Sequence, residues 1–450
     1  MLIINGTLIT NTSPNQILTD YALYIEDGKI KQIGPQNALL AWHPDAERLD
    51  AKGQYVMPGN ICAHTHFYGA FARGMSIPGA PAKDFPEILA KLWWPLDRAL
   101  DEETVRLSAQ VLLIDAIRSG TTTLIDHHAS PNFIDGSLDV IAGAVAEAGN
   151  RAVLCYEVTD RDGDARAQAG IRENERFLSR VQDGENVGGR IGALFGLHAS
   201  LTLSPTTLDA CRAANTTNAG FHIHVAEHEA DEYDSLQKYG TRTVDHLYNH
   251  GILGPDTIVA HAVHTDTREA SLLAETGTWV SHQPRSNMNN GVGVTPVESL
   301  LRAGVNVCLG TDGFPHAMWE EARFAYMLQK VHHRDPRRMA GDVVYDMLTT
   351  NNASLAAKHF PEATLGTLEE GAHADIIFVD YHPFTPLTAG NLPWQVIFGF
   401  HERMVTTTIV GGQILMLNRN LLTIDEERIA AQAREAAPAL WERYEANVPS

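Results

Sequence analysis

Cationic excess, long apolar runs and paired cysteines are all missing from this chain of 450 residues. Lysine and arginine total 34 against 55 aspartates and glutamates, a formal net charge of −21 at pH 7. Nucleic acid is held by clustered cations, so this balance argues against it as a partner. It argues equally against docking on an anionic membrane face. No apolar stretch approaches the ~20 residues that cross a bilayer. The start, MLIINGTLIT, enters a strand pattern without the basic residues of a secretory leader. Cys62, Cys155, Cys211 and Cys308 are scattered, with no C-x-x-C spacing. That excludes a disulfide frame and a thiolate metal site, and it predicts a reduced, cytoplasmic protein. Repeats and low-complexity tracts are absent as well.

Histidine, by contrast, is plentiful: 21 residues, several grouped where apolar runs end. Near the start, Tyr24-Ile25-Glu26 and Ile30-Lys31-Gln32-Ile33 flank Asp27-Gly28, a hairpin signal because glycine accepts the positive φ of such turns. Strand patterns return late, at Ala374 to Val379 and on either side of Gly411-Gly412. Two strand-rich ends predict one small β domain assembled from both termini. Between them eight apolar runs alternate with helical stretches: Val56 to His66, Thr122 to Asp126, Ala152 to Tyr156, Ile191 to Leu197, Phe221 to Val225, Thr257 to His261, Thr278 to Ser281 and Val305 to Leu309. Most are continuously apolar, as parallel strands covered on both faces are. Eight such units over about 300 residues predict an α/β fold with a (β/α)8 barrel, where a doubly wound sheet would need fewer. The Ala- and Glu-rich tail from Glu426 to Asn447 is expected to form one or two helices, interrupted at Pro438.

In a barrel the reactive groups project from the C-terminal ends of the strands. The first run finishes Ala63-His64-Thr65-His66. Residues two apart in a strand point the same way, so both imidazoles can face one ion. The fifth run ends His222-Ile223-His224-Val225-Ala226-Glu227, offering His224 as a third ligand and Glu227 as a proton carrier. His222 has the same parity but lies deeper, which suits support or packing. The sixth run ends at His261, and the eighth continues into Thr311-Asp312-Gly313. Imidazoles and one carboxylate suit a single Zn²⁺, with Fe²⁺ or Mn²⁺ also compatible. Such an ion lowers the pKa of water enough to supply hydroxide near neutral pH. Asp312 is then placed to take the water's proton, Glu227 to pass one to the substrate, and His261 to hold the hydroxide or polarise the substrate.

The ordered set H-x-H, H-x-x-E, His and T-D-G resembles the mononuclear deaminase branch of the amidohydrolase superfamily, which includes guanine, cytosine and S-adenosylhomocysteine deaminases and the triazine hydrolases. The lead-in Val56-Met57-Pro58-Gly59 and the later segment Gly366 to Asp375 match it too, and the likeness runs almost end to end. Leu92-Trp93-Trp94, Asp126-His127-His128-Ala129-Ser130-Pro131 and Arg285-Ser286-Asn287-Met288-Asn289-Asn290 are similar to the SsnA-type aminohydrolases. The resemblance implies metal ligands His64, His66, His224 and Asp312, with Glu227, His261 and Asp312 catalytic. It implies a TIM-like metal-dependent hydrolase barrel over residues 59–365. A β-sandwich is split between 1–58 and 366–420, with a helical tail over 421–450. The similar dinuclear branch bridges two metals with a modified lysine after its fourth strand. Here the fourth run has no lysine and ends in His198, which points to one metal and to deamination.

Expected substrate contacts are His198, His128, Trp94 and Asn287. Their neighbours His127, Trp93, Arg285 and Ser286 are also candidates, as are Arg73 and Asp84 in the first long loop. His282 reads as a strand-end hydrogen-bonding residue. Gln283 replaces the Cys or Asn usual in related enzymes, and Glu321 reads better as a solvated helix residue than as a site group. The expected reaction is hydrolytic release of ammonia from an aminated purine, pterin, pyrimidine or related ring, by an enzyme acting on a small molecule and water, its subunits forming a homo-oligomer. The alternatives are loss of chloride or an alkylamine from a triazine-like ring, and a scaffold without catalysis, which retained ligands disfavour.

Overall fold

The computed structural model describes residues 1–449; residue 450, the last of the expected tail, lies outside them. Parallel strands carry the middle of the chain. Asn60–Thr65, Thr121–Asp126, Arg151–Leu154 and Ile191–Ala193 form one four-stranded sheet, and Phe195–Ala199, Phe221–Val225, Ile258–His261, Trp279–His282 and Val307–Leu309 form a five-stranded one. Parallel bridges from Val158 to Leu197 and from Thr65 to Asp312 join the two sheets. Nearly every residue of these strands is buried, which is why the runs read as unbroken hydrophobicity.

Helices separate the strands and are capped by local chemistry. Asp101 accepts the Thr104 amide at 3.0 Å at the start of Glu102–Ser119, and Gly120 closes that helix with a φ of 73°. Asp266 and Glu269 form a reciprocal capping box on Thr267–Glu275.

Both ends of the chain meet in a second region. A seven-stranded sheet places Tyr55–Pro58 between Thr7–Ile9 and Ile376–Val379, and a four-stranded sheet holds Leu2–Ile4, Tyr21–Glu26, Lys29–Pro35 and Arg48–Asp50. Ile3, Leu23, Ile30, Val56, Phe378 and Ile409 belong to one buried apolar cluster that both termini share. The Asp27-Gly28 turn forms as expected, both residues at positive φ, 50° and 74°.

The structure corrects three expectations. The run from Val56 to His66 is two strands in two sheets, broken at Gly59, whose amide bonds Asp375 O at 3.0 Å. A Cβ there would meet the Thr122 side chain at 2.2 Å, so only glycine lets the chain cross. The fourth run is also divided, at Leu194. The tail is a single helix, Glu426–Asn447, that continues through Pro438. Its docking compensates for the lost hydrogen bond: Leu440 and Tyr444 are buried, and Trp441 Nε1, Arg443 Nε and Tyr444 Oη donate to the carbonyls of Phe71, Ala99 and Lys91 at 3.1, 2.7 and 2.6 Å. Among the described residues no helix is long and apolar enough to cross a membrane.

Gly59→Ala is expected to destabilise the protein by about 1–3 kcal/mol through overpacking. Thr122→Ala in the same chain should recover part of that loss, read as non-additivity in denaturant unfolding.

Candidate metal and catalytic site

Backbone strain marks the ends of the parallel strands. Ala226, His261, Ala262 and Asp312 all sit at positive φ, between 48° and 76°, a region that costs side-chain-bearing residues energy. These turns direct the exits of Phe221–Val225, Ile258–His261 and Val307–Leu309 toward His64 and His66. His66 Nε2 lies 3.0 Å from Asp312 Oδ1 and 3.2 Å from His224 Nε2, and His64 Nε2 lies 3.5 Å from the same carboxylate oxygen. Donor atoms of His64, His224, His261 and Asp312 all fall within 4.8 Å of one another.

Each imidazole is aimed by what holds its other nitrogen. His66 Nδ1 donates to His127 O at 2.6 Å and His224 Nδ1 to His198 O at 2.9 Å. His64 Nδ1 pairs with His222 Nε2 at 2.9 Å, and His222 Nδ1 faces Cys155 Sγ at 3.8 Å. With Nδ1 occupied, Nε2 carries the lone pair turned to the common point. His64 Nε2 is buried there without a hydrogen-bond partner.

The electrostatics call for positive charge at this point. Burial pushes His64 down to about 3, whereas His66 is pushed up to about 9 because the hydrogen bond and charge of Asp312 outweigh burial. Asp312 is held well below the usual carboxylate range by His64 and His66, against the opposing effect of burial. Converging lone pairs, an unpartnered buried nitrogen and an ionised carboxylate fit a divalent cation.

Beside this cluster, Glu227 Oε2 stands 3.4 Å from His261 Nε2. Burial, reinforced by nearby Asp312, raises the Glu227 carboxyl well above its usual range. Asn287 Oδ1 accepts from His261 Nδ1 at 2.8 Å, so His261 turns a lone pair toward Glu227. Ser286 Oγ donates to Asp312 Oδ2.

A cleft of about 830 Å³, including its open mouth, leads down to these groups; Trp93, Trp94, Phe85, Leu89 and Tyr68 form its apolar wall, and His66, His224, Glu227, His261 and Asp312 its floor. Of the four residues expected to contact substrate, His198 and Trp94 line it. His128 and Asn287 do not. His128 is buried against Tyr68 and Tyr156 with Nε2 on Ser130 Oγ at 2.8 Å, and Asn287 is spent on His261 and Thr295.

Arg285 and Glu321 pair with each other in the interior, so Glu321 is not solvated. Asp84 caps the helix Phe85–Ile88 and is not a lining residue, nor is Arg73. Gln283 accepts the His261 amide at 3.1 Å. His282 is buried with neither ring nitrogen hydrogen-bonded, where a strand-end bond was expected. His127 is buried and stacks on His222 at 4.4 Å.

Sequence reading missed Glu157 and Asn290, both lining residues. Glu157 is buried beside His66, His127 and His198, and burial pushes its carboxyl up to about 8. Its position just past the third apolar run was the available signal.

Imidazoles and a carboxylate gathered at the ends of parallel strands, with Glu227 and His261 beside them, match the arrangement of a metal-dependent hydrolase. More specifically, the chain belongs to the amidohydrolase family, whose model matches residues 55–415. It is 32% identical over 431 residues to a 5′-deoxyadenosine deaminase of Methanobrevibacter smithii, covering 94% of each chain. It is 34% identical over 424 residues to a 5-methylthioadenosine/S-adenosylhomocysteine deaminase of Thermococcus sibiricus, covering 93% of this chain and 94% of that one. In structure it is similar to an adenosine deaminase from Xanthomonas campestris with bound zinc: TM-score 0.84, 22% identity, 99% of this chain and 98% of that one.

Protein stripped by a chelator is expected to gain about 4 kcal/mol of stability when Zn²⁺ is added at a thousand times its Kd. His224→Ala and Asp312→Ala should lose most of that gain in differential scanning calorimetry.

Proposed function

We propose that this hydrolase acts on C–N bonds by deaminating an aminated nitrogen heterocycle, exchanging a ring amine for an oxo group and releasing ammonia. The observation that carries the reading is the meeting of buried His64 with His66, His224 and Asp312 at the floor of a cleft that also holds Glu227 and His261. Relatives named as deaminases, each matched over nearly the whole chain, support it.

In this reading the ligands are His64, His66, His224 and Asp312, and one ion is held, Zn²⁺ suiting the donors best with Fe²⁺ or Mn²⁺ as alternatives. A divalent ion bound there supplies Lewis acidity and makes water a usable nucleophile near neutral pH. Asp312 accepts a proton from the attacking water. Glu227, kept protonated by its buried setting, delivers a proton to a ring nitrogen as the carbon is attacked. His261, fixed by Asn287, orients the Glu227 carboxyl. A second proton passed to the exocyclic nitrogen lets ammonia leave, so water's two hydrogens account for the product's gain. Trp94 and His198 contact the ring from the cleft wall.

The same reading closes the two parallel sheets into a (β/α)8 barrel over residues 59–365, through the bridges Val158–Leu197 and Thr65–Asp312. It treats 1–58 and 366–420 as the halves of a β-sandwich around the shared apolar cluster, with 421–450 a helical tail. A cytoplasmic setting suits four buried free cysteines. Exposed Trp394 and Phe398, on one helix, are what a second copy in a homo-oligomer would cover.

Glu227→Gln is expected to keep its metal, measured by plasma emission, and to lose about 10²–10⁴-fold in turnover. Ammonia release from a panel of aminated heterocycles is the assay. Near-wild-type rates would refute the role, and halide from a chlorotriazine in place of ammonia would replace the reaction.

A further inference from the structure

The cleft wall is one-sided in charge. Among the described residues no lysine or arginine lines it, whereas Asp97, Glu157, Glu227, Asp231 and Asp312 do. Three of these carboxyl groups have close polar partners: Asp97 in Arg161, Asp231 in the amides of Ala226 and Leu201 at 2.8 and 3.0 Å, and Asp312 in Ser286 and the imidazoles. Glu227 stands 3.4 Å from His261 Nε2. Glu157 lacks such a partner. It is only 2% exposed, and its Oε1 has no hydrogen-bond partner. The nearest ring nitrogens, His127 Nδ1 at 3.3 Å and His66 Nδ1 at 3.4 Å, form no hydrogen bond with it, and the second is committed to His127 O.

His198 adds a second unmet acceptor. Thr202 gives its hydroxyl hydrogen to Ala199 O at 3.0 Å, so its oxygen accepts from His198 Nδ1 at 2.7 Å. Neutral His198 in that tautomer presents a bare lone pair at Nε2, 3.8 Å from Glu157 Oε2. His198 Nε2 and the Glu157 carboxyl therefore face each other without a hydrogen bond between them, and Trp94 Nε1 is buried on the same wall without an acceptor of its own.

We propose that Glu157, with His198, is a specificity-determining residue that selects a substrate presenting N–H or O–H donors and bearing no anionic substituent, an inference that rests on the deaminase reading of this site. A donor group placed beside the pair satisfies both acceptors at once. A phosphate or carboxylate would find no lysine or arginine on the wall to receive it, only carboxyl groups and apolar rings. The donors have two chemical sources, ring N–H groups of a free base and hydroxyls of a nucleoside sugar.

The test measures binding and turnover separately on metal-loaded protein. Isothermal titration calorimetry and ammonia-release kinetics are run with guanine, adenosine, adenosine 5′-monophosphate and S-adenosylhomocysteine. At least one of the first two should bind about 100-fold more tightly than either of the others. Preference for guanine would assign the donors to the ring, and preference for adenosine to the sugar. Glu157→Gln should retain its metal, lose about 10–100-fold in kcat/KM mainly through KM, and shrink that discrimination below about tenfold. Glu157→Asp, which keeps the carboxyl group, should preserve the discrimination. Equal binding of uncharged and anionic probes, an unchanged ratio in Glu157→Gln, or no binding of any probe would overturn the assignment. Binding in the expected pattern with no ammonia from any probe would instead sink the deaminase reading and leave the Glu157 selectivity standing.

Discussion

Burying three imidazole lone pairs and a carboxylate against one another is unfavourable, and the rest of this structure is arranged around that fact. His66 Nε2 lies 3.0 Å from Asp312 and 3.2 Å from His224 Nε2, at the floor of the cleft with little exposure to solvent. Such a cluster persists only if every other atom of the four side chains is fixed and a cation meets the converging pairs. The fixing is done by carbonyls of His127 and His198, by His222 beneath His64, and by Ser286 beneath Asp312. Positive φ at Ala226, His261 and Asp312 is the backbone's share of the cost.

One short helix, Pro284–Asn290, has an outsized part in this arrangement. Ser286 restrains the carboxylate, Asn287 sets the tautomer of His261, and Asn290 lines the cleft beside Glu227. The buried pairing of Arg285 with Glu321, together with its bond to the half-exposed Glu320 at 2.7 Å, anchors the helix to Met318–His333. Arg285 is therefore far from idle although it touches nothing in the cleft. A pair so deeply buried is valuable mainly as a geometric constraint, because desolvation consumes much of its attraction.

Much of this was legible in the chain. The Asp27-Gly28 turn, the two strand-rich ends and the middle strands announced themselves through turn chemistry and hydrophobic runs, which are local signals. So did the residues that meet at the floor, because an H-x-H pair and polar residues ending apolar runs are visible without coordinates. The break at Gly59 was not: it depends on Thr122, more than sixty residues away, occupying the space of a Cβ. The unbroken helix through Pro438 depends on carbonyls of Phe71, Lys91 and Ala99. His128 and Asn287 look like cleft residues by their position after a strand, yet both face inward to other side chains. Glu157 follows the third apolar run directly but has no motif around it, so its place in the site shows only when His198 and His66 are seen beside it.

By itself, then, the order of residues determined which parts of the chain become strands, where the turns fall and which side chains are chemically able to hold a cation, since backbone preference and ligand chemistry are properties of a residue and its near neighbours. Only the tertiary structure decided which of those polar groups face the cleft, which serve as supports and which carboxylate is left without a partner. Those outcomes are set by distances between residues far apart in sequence, and no local pattern encodes a distance.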